Sequence, residues 1–294
     1  MSFEVTTAFV DEFRATVDML SQQVGSRFAA AVTTDNYTGD GGKAVEQIGA
    51  VTAMKKTSRH MDTPLISTPH DARWVYPTDY IWADLIDKED KLRMIVDLES
   101  HYAINGGASI NRWKDDAIIE AFFGTAQTGV RGGTSTTFPG AQQIAVALGA
   151  SAATGINTTK LKRARRLLRA AEVDLDVDPI YCGISALQEE ELLNEYEVKS
   201  KEFTSAPVLE DGKLRRFVGF EFIHSERLAT DSNSYRRCPA WARSGMHLGM
   251  WNDLAINVSI RDDKNYSAQV HAAGTFGGTR LEEVKVTELP CSEA

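Results

Sequence analysis

Cysteine is scarce. Cys182, Cys238 and Cys291 are the only three, widely spaced, with no CxxC pair and no neighbouring histidine pair. That pattern excludes a disulfide framework and a zinc ribbon, and it predicts reduced thiols in a cytoplasmic setting. Long apolar runs are missing as well: no stretch reaches the roughly 18 residues a membrane-spanning helix needs. The N-terminus carries Glu4 and Asp11 in place of a basic leader, which argues against a secretory signal. Catalytic signatures are equally absent, with no GxSxG, no Ser–His–Asp spacing, no dinucleotide fingerprint and no Walker lysine. GDGGK (39–43) lacks the spacing of a phosphate loop and follows no strand. Neither an enzyme nor a bound cofactor is expected. The net charge of −9 excludes a surface given over wholly to nucleic acid and leaves room only for local basic patches.

What is present is ordinary globular composition. The 294 residues, 43% of them hydrophobic, suffice for a sizeable core and about two domains. Two clusters, one of His and Asp and one acidic, invite a metal and then fail the test. His60, Asp62, His70 and Asp71 fall close together, but without the short spacing on a rigid element that zinc sites use, so they read as a polar tip. DLDVDP (174–179) begins like a calcium loop, yet Pro179 replaces the turn glycine and Ser185 stands where the bidentate glutamate belongs. It reads as a helix-to-strand turn.

The chain is organised around residues 100–123, SHYAINGGASINRWKDDAIIEAFF, which reads as one helix of about 36 Å. Ala103, Gly107, Ile110, Trp113, Ala117 and Ala121 recur at helical spacing, with a second row from Ile118 to Phe122. Ser100 is the expected N-cap, and Gly124 the expected left-handed terminator. The Gly106–Gly107 pair costs roughly 1 kcal/mol per glycine in a helix interior, so a bend or a close backbone contact is expected there.

Ahead of it, residues 7–24 carry an apolar stripe of helical period, and 33–43 form a Gly/Asp/Thr-rich linker. Residues 44–84 read as a long hairpin. Its return leg, ARWVYPTDYIWAD, sets Trp74, Tyr76, Tyr80 and Trp82 at even positions and hence on one strand face. Pro77 confines that leg to an edge or a bulge. A two-stranded hairpin is marginal alone in water, so one with four large aromatics must lie on its own platform or on a neighbouring subunit. A short helix capped by Asp87 and reaching Val96 follows.

Beyond the long helix, 124–140 reads as a flexible Gly/Thr loop and IAVALGA (144–150) as a buried strand. Asn157 caps a helix with Leu161, Ala164, Leu167, Leu168 and Ala171 on one face and Lys160, Lys162, Arg163, Arg165, Arg166 and Arg169 on the other. That basic face suits packaged DNA through nonspecific phosphate contacts, or a solvated or subunit-facing surface. Then come a buried strand, PIYCGISA, a second helix, LQEEELLNEY, and a small hairpin over 214–228. Strands return over 245–289. The lobe therefore reads as inserted into a platform built from 86–150 and 250–290.

With these parts in order, the chain resembles the major capsid proteins of tailed bacteriophages with the Hong Kong 97 fold. The matching phrases are DTPLISTPHDARWVYPTDY (62–80), ADLIDKEDKLRMIVDLESHYA (83–103), RWKDDAIIEAFFGTAQTG (112–129), ARSGMHLGMWNDL (242–254) and YSAQVHAAGTFGGTRLEEVKV (266–286). The resemblance implies an α+β fold: an N-terminal arm (1–43), an E-loop (44–85), a P-domain (86–150 and 249–294) holding the spine helix (100–123), and an A-domain (151–248). It implies a virion shell protein, assembled in the host cytoplasm from pentamers and hexamers around double-stranded DNA. Its partners would be further copies, a portal protein and a decoration protein. No long charged helical segment precedes the arm, so a separate scaffolding protein is implied as well. His60, Asp62 and His70 join the four aromatics as expected E-loop interface residues. An encapsulin-type compartment, which shares the fold and holds cargo enzymes, is the alternative.

Overall fold

In the computed structural model, which describes residues 21–63, 65–87, 98–195 and 214–293, the long helix α1 runs from Leu98 to Phe123. It starts two residues before Ser100, which therefore sits inside the helix and is not its cap. Gly124 does end it, by close approach and not by a left-handed turn. Its N–H donates to Glu120 O at 2.9 Å, and a Cβ there would lie 2.8 Å from the same oxygen. Ile110, Ile118, Ile119 and Phe122 are buried, whereas Trp113, expected in the buried row, is 47% exposed. At 100° per residue the buried arc passes through 110, 114, 118 and 122, which takes in Lys114 and leaves Trp113 behind. The helix expected from Asp87 to Val96 and most of that over 7–24 lie outside the described residues. Residues 21–24, the described end of the latter, are not helical.

Taken in chain order, the strands are β1 (Thr33–Asn36), β2 (Gly42–Ile48), β3 (His70–Val75) and β4 (Thr78–Ile86) before α1, then β5 (Ala126–Thr128) and β6 (Thr134–Thr136). Helix α2 (Thr158–Ala170), β7 (Ile180–Ile184) and α3 (Ala186–Asn194) follow, then β8 (Arg216–Phe217), β9 (Phe220–His224), β10 (Arg236–Ala242), β11 (Met246–Arg261), β12 (Ser267–Arg280) and β13 (Val286–Cys291). They form three sheets, ordered β1-β11-β12-β4, β13-β10-β7-β9-β8 and β2-β3-β5-β6. The region 124–140 is thus not a structureless loop, since β5 and β6 pair antiparallel within it. Residues 145–150 are turns and not a buried strand. Only Ile144 reaches a sheet, donating its N–H to Glu288 O at 2.9 Å.

The chain divides into two compact units. One comprises Met1–Gly25, Tyr80–Arg112 and Leu254–Gly274, the other Ser26–Asp79, Trp113–Asp253 and Thr275–Ala294. The core of the larger unit is aromatic. Phe122 and Trp241 lie 4.5 Å apart between ring centroids, with Phe28 5.8 Å from Trp241, and Trp241 Nε1 donates to Ala31 O at 2.9 Å. Burying an indole needs such a partner for its N–H. The three cysteines, distant in sequence, are brought into one sheet by β7, β10 and β13. All are buried and free, and burial pushes the Cys182 thiol well above its ordinary range.

Candidate assembly surfaces

The hairpin is shorter in its ladder than its sequence suggests. β2 pairs with β3 only from Gly42↔Val75 to Ile48↔His70, with an irregularity between Lys43 and Val45. Between Ile48 and His70 no described residue belongs to a helix or strand. Met54 is 63% exposed and Leu65 fully exposed along this limb. His60 and Asp62 lie on it, exposed, but His70 opens β3 at its base.

Pro77 divides the aromatic leg more deeply than an edge bulge. Strand β3 ends at Val75, and β4 begins at Thr78 in a different sheet. The four aromatics therefore do not share one strand face, because a proline lacks the N–H a continuing ladder needs. Trp74 is half-buried and donates Nε1–H to Gly129 O at 2.8 Å. Tyr76 donates its hydroxyl to Arg131 O at 3.0 Å. Asp71 Oδ1 accepts from Gly129 N–H at 2.9 Å. All three bind the turn after β5 in the same chain. Tyr80 and Trp82 are half-buried on β4.

In the spine helix, Gly106 seats Trp82: a Cβ there would lie 2.6 Å from the indole and 3.2 Å from Ala272 Cβ. Of the two expectations for the glycine pair, α1 shows close contact at Gly106, and it is a single helix through both positions. A Cβ at Gly107 would make ordinary contact with Leu254 and Ile256.

The next turns hold what periodicity missed. Asp115 is fully buried and accepts from Ser26 Oγ at 2.5 Å, Arg27 N–H at 2.9 Å and Phe28 N–H at 3.2 Å, fixing the chain entry. Lys114 pairs with Asp253, and Asp116 with Arg227. Three successive charged side chains thus tie three separate segments to one helix. The signal was a run of three successive charges in mid-helix, but no spacing rule names its partners. Arg280, also fully buried, closes the helix C-terminus by donating Nη1–H to Phe122 O and Gly124 O, each at 2.9 Å. Burial pushes its pKa down, with Glu283 opposing.

The helix α2 is capped as expected, Asn157 Oδ1 accepting from Lys160 N–H at 2.8 Å. Leu161, Ala164 and Leu168 are buried, and Lys162, Arg163, Arg165, Arg166 and Arg169 are exposed. Lys160 does not join that exposed basic face. It is fully buried, its Nζ donating to Thr154 O, Gly155 O and Pro290 O at 2.8 Å each. It lies one turn before Ala164 on the inner face, and three carbonyls in place of water keep its charge solvated. Burial lowers its pKa.

One buried histidine carries a pH expectation. Thr33 Oγ1 donates to Met246 O at 2.7 Å, so it accepts from His247 Nδ1 at 3.0 Å, leaving Nε2 to accept from Tyr37 OH at 2.9 Å. This network holds a neutral ring. Burial pushes the His247 pKa down, opposed by Asp35, and burial pushes the Tyr37 phenol up. Unfolded His247 binds its proton first, so its contribution to stability is whole above about pH 6.5 and is lost as the pH falls toward the depressed folded value. Melting temperature should fall between about pH 7.5 and 5.5, and the fall should shrink in His247→Gln. An unchanged slope in that variant would assign the pH response to other groups.

This order of parts, with its long helix, extended limb and long paired strands β11 and β12, matches solved phage capsid subunits over essentially their full length. The capsid structure of cyanophage P-SCSP1u is 14% identical, with 100% of this chain and 96% of that chain covered and a TM-score of 0.75. Mycobacterium phage Che8 gives 15% identity, 96% and 97% coverage and a TM-score of 0.69. The cyanophage Pam1 capsid gives 13%, full coverage of both chains and 0.68. No curated protein matches the chain in sequence. The class is therefore the mixed α and β, Hong Kong 97-like shell subunit. The family model for phage capsid proteins matches residues 5–293, and the chain belongs to that family. It is a structural protein of the virion capsid.

Proposed function

We propose that this chain is the major capsid protein, closing an icosahedral shell of pentamers and hexamers around double-stranded DNA. The observation that carries this reading is the limb between Ile48 and His70, free of helix and strand among the described residues and studded with exposed Val51, Met54, Leu65 and Ile66. Apolar side chains on an extended arm are an aggregation liability in a monomer and a binding surface in an assembly. Heterologous contacts that repeat around local axes turn many modest interfaces into one stable container. A separate scaffolding protein, a portal protein and a decoration protein complete the set of partners, with assembly in the host cytoplasm. The Gly106–Gly107 segment would let the spine helix yield as the shell expands.

The chain should be expressed alone and with its candidate scaffolding protein, and the products imaged. Closed particles with five- and sixfold capsomers are expected, holding nuclease-protected DNA when made during infection. A compact monomer at high concentration would overturn the reading, and particles that hold cargo protein and no DNA would move it to the encapsulin-type compartment.

Trp74→Ala is the sharper probe. It removes the hydrogen bond to Gly129 O and the packing at the limb's base, at about 2 kcal/mol. A folded chain that gives markedly fewer particles by sedimentation is expected. Normal yield of normal-sized particles would remove Trp74 from assembly.

A further inference from the structure

The helix α2 carries its charges in the arrangement a lone chain should avoid. Its first turn holds no acid, while Lys162 and Arg163 follow close behind at the positive end of the helix dipole. Beyond its C-terminus, at the negative end, stand the exposed acids Glu172, Asp174 and Asp176. The dipole disfavours both placements. Backbone strain adds to this. Val173 N–H bonds Leu168 O at 3.3 Å and Glu172 N–H bonds Arg169 O at 3.1 Å, which makes Glu172 the left-handed residue of a Schellman cap, at φ 57°. Glycine is the low-strain choice there. An exposed glutamate occupies it instead.

On the same helix, Lys162, Arg166 and Arg169 recur at i, i+4 and i+7 along the middle of the exposed face. Among the described residues, no ion pair joins Arg166, Arg169, Glu172 or Asp176 to an opposite charge. A chain of net charge −9 thus gathers like charge on one helix face and opposite charge just past its end. We infer that this lobe is one half of a heterologous, head-to-tail contact between copies of this chain: the acidic turn 172–176 of one copy docks on the arginine face of α2 in the next. The inference rests on the shell reading above. Complementary patches on a single lobe are what a ring of identical subunits needs, since each contact uses both. The acid turn, opposite in charge to the arginine face and carried by every copy, favours a second copy over DNA as the occupant of that face.

The test exploits the dipole. Arg163→Glu with Arg166→Glu removes like-charge repulsion within the helix. Glu172→Lys with Asp176→Lys places cations at the C-terminal end, where the dipole favours them. Both pairs should leave the melting temperature of the unassembled chain equal or higher. Each should nevertheless cut particle yield by about tenfold in nuclease-treated assembly at low salt, and the combined fourfold variant should recover most of it. A Glu172→Gly variant should melt higher and assemble less well. Reversal pairs that assemble like the parent would overturn the inference, as would a fourfold variant that folds but assembles no better than either pair. If only the arginine pair acts, and it lowers DNA content in particles of normal yield, the face belongs to nucleic acid and the inference falls. A parent chain that makes no particles would instead bring down the shell reading.

Discussion

Replacing Arg280 with methionine is expected to lower the stability of the unassembled chain by about 4 kcal/mol, the largest single effect foreseen here. The guanidinium is fully buried, and its Nη1 reaches the carbonyl of Phe122, one of those left without a helical partner at the end of a 26-residue helix, and that of Gly124 just beyond it. Its Nε lies 3.7 Å from Glu283, which also holds Arg73 through two bonds of 2.7 Å. Methionine fills similar volume but leaves the carbonyls unpaired and a nearby carboxylate with less positive charge. Arg280→Lys should recover only part of the loss, because one ammonium can serve the carbonyls of Phe122 and Gly124 but leaves Glu283 and Thr136 O without the Nε and Nη2 that face them. Denaturant unfolding at matched concentration measures both. A loss below about 1 kcal/mol for the methionine variant would mean that water or a rotated side chain replaces the arginine.

Asp115→Ala is expected to cost about 3 kcal/mol, with a second readout in the chain's entry. The carboxylate gathers the Ser26 hydroxyl and the N–H groups of Arg27 and Phe28, which sets the Phe28 ring against Trp241. Without it those donors are orphaned beside the aromatic core. Limited proteolysis should then cut near residues 26–32 where the parent resists. Asp115→Asn should behave almost as badly as alanine, since its NH₂ group would face backbone N–H donors. An asparagine variant as stable as the parent would show that shape and not the acceptor pair is what matters. Because both residues act within one chain, each effect should appear before any particle forms.

Much of the layout was legible. The spine helix, the Asn157 cap, the buried strand β7, the helix α3 and the small hairpin β8–β9 all follow from local periodicity and end signals, which act over a few residues. Failures cluster where a partner distant in sequence decides. Lys160 looks like one more exposed cation until Pro290, 130 positions away, supplies a carbonyl. Residues 144–150 have a strand's composition but no neighbour to pair with beyond Ile144. Pro77 signalled an interruption, yet nothing local says that the two halves of the leg enter different sheets.

The chain's own order of residues therefore determined the three described α-helices, the limb and the inner face of α2 apart from Lys160, because hydrogen bonds and side-chain period are set by near neighbours. Only tertiary structure decided which charges are buried, that Asp115 holds the entry, that Arg280 closes the spine, and that Gly106 seats an indole. Those outcomes depend on which groups lose water together, and a linear sequence does not record that.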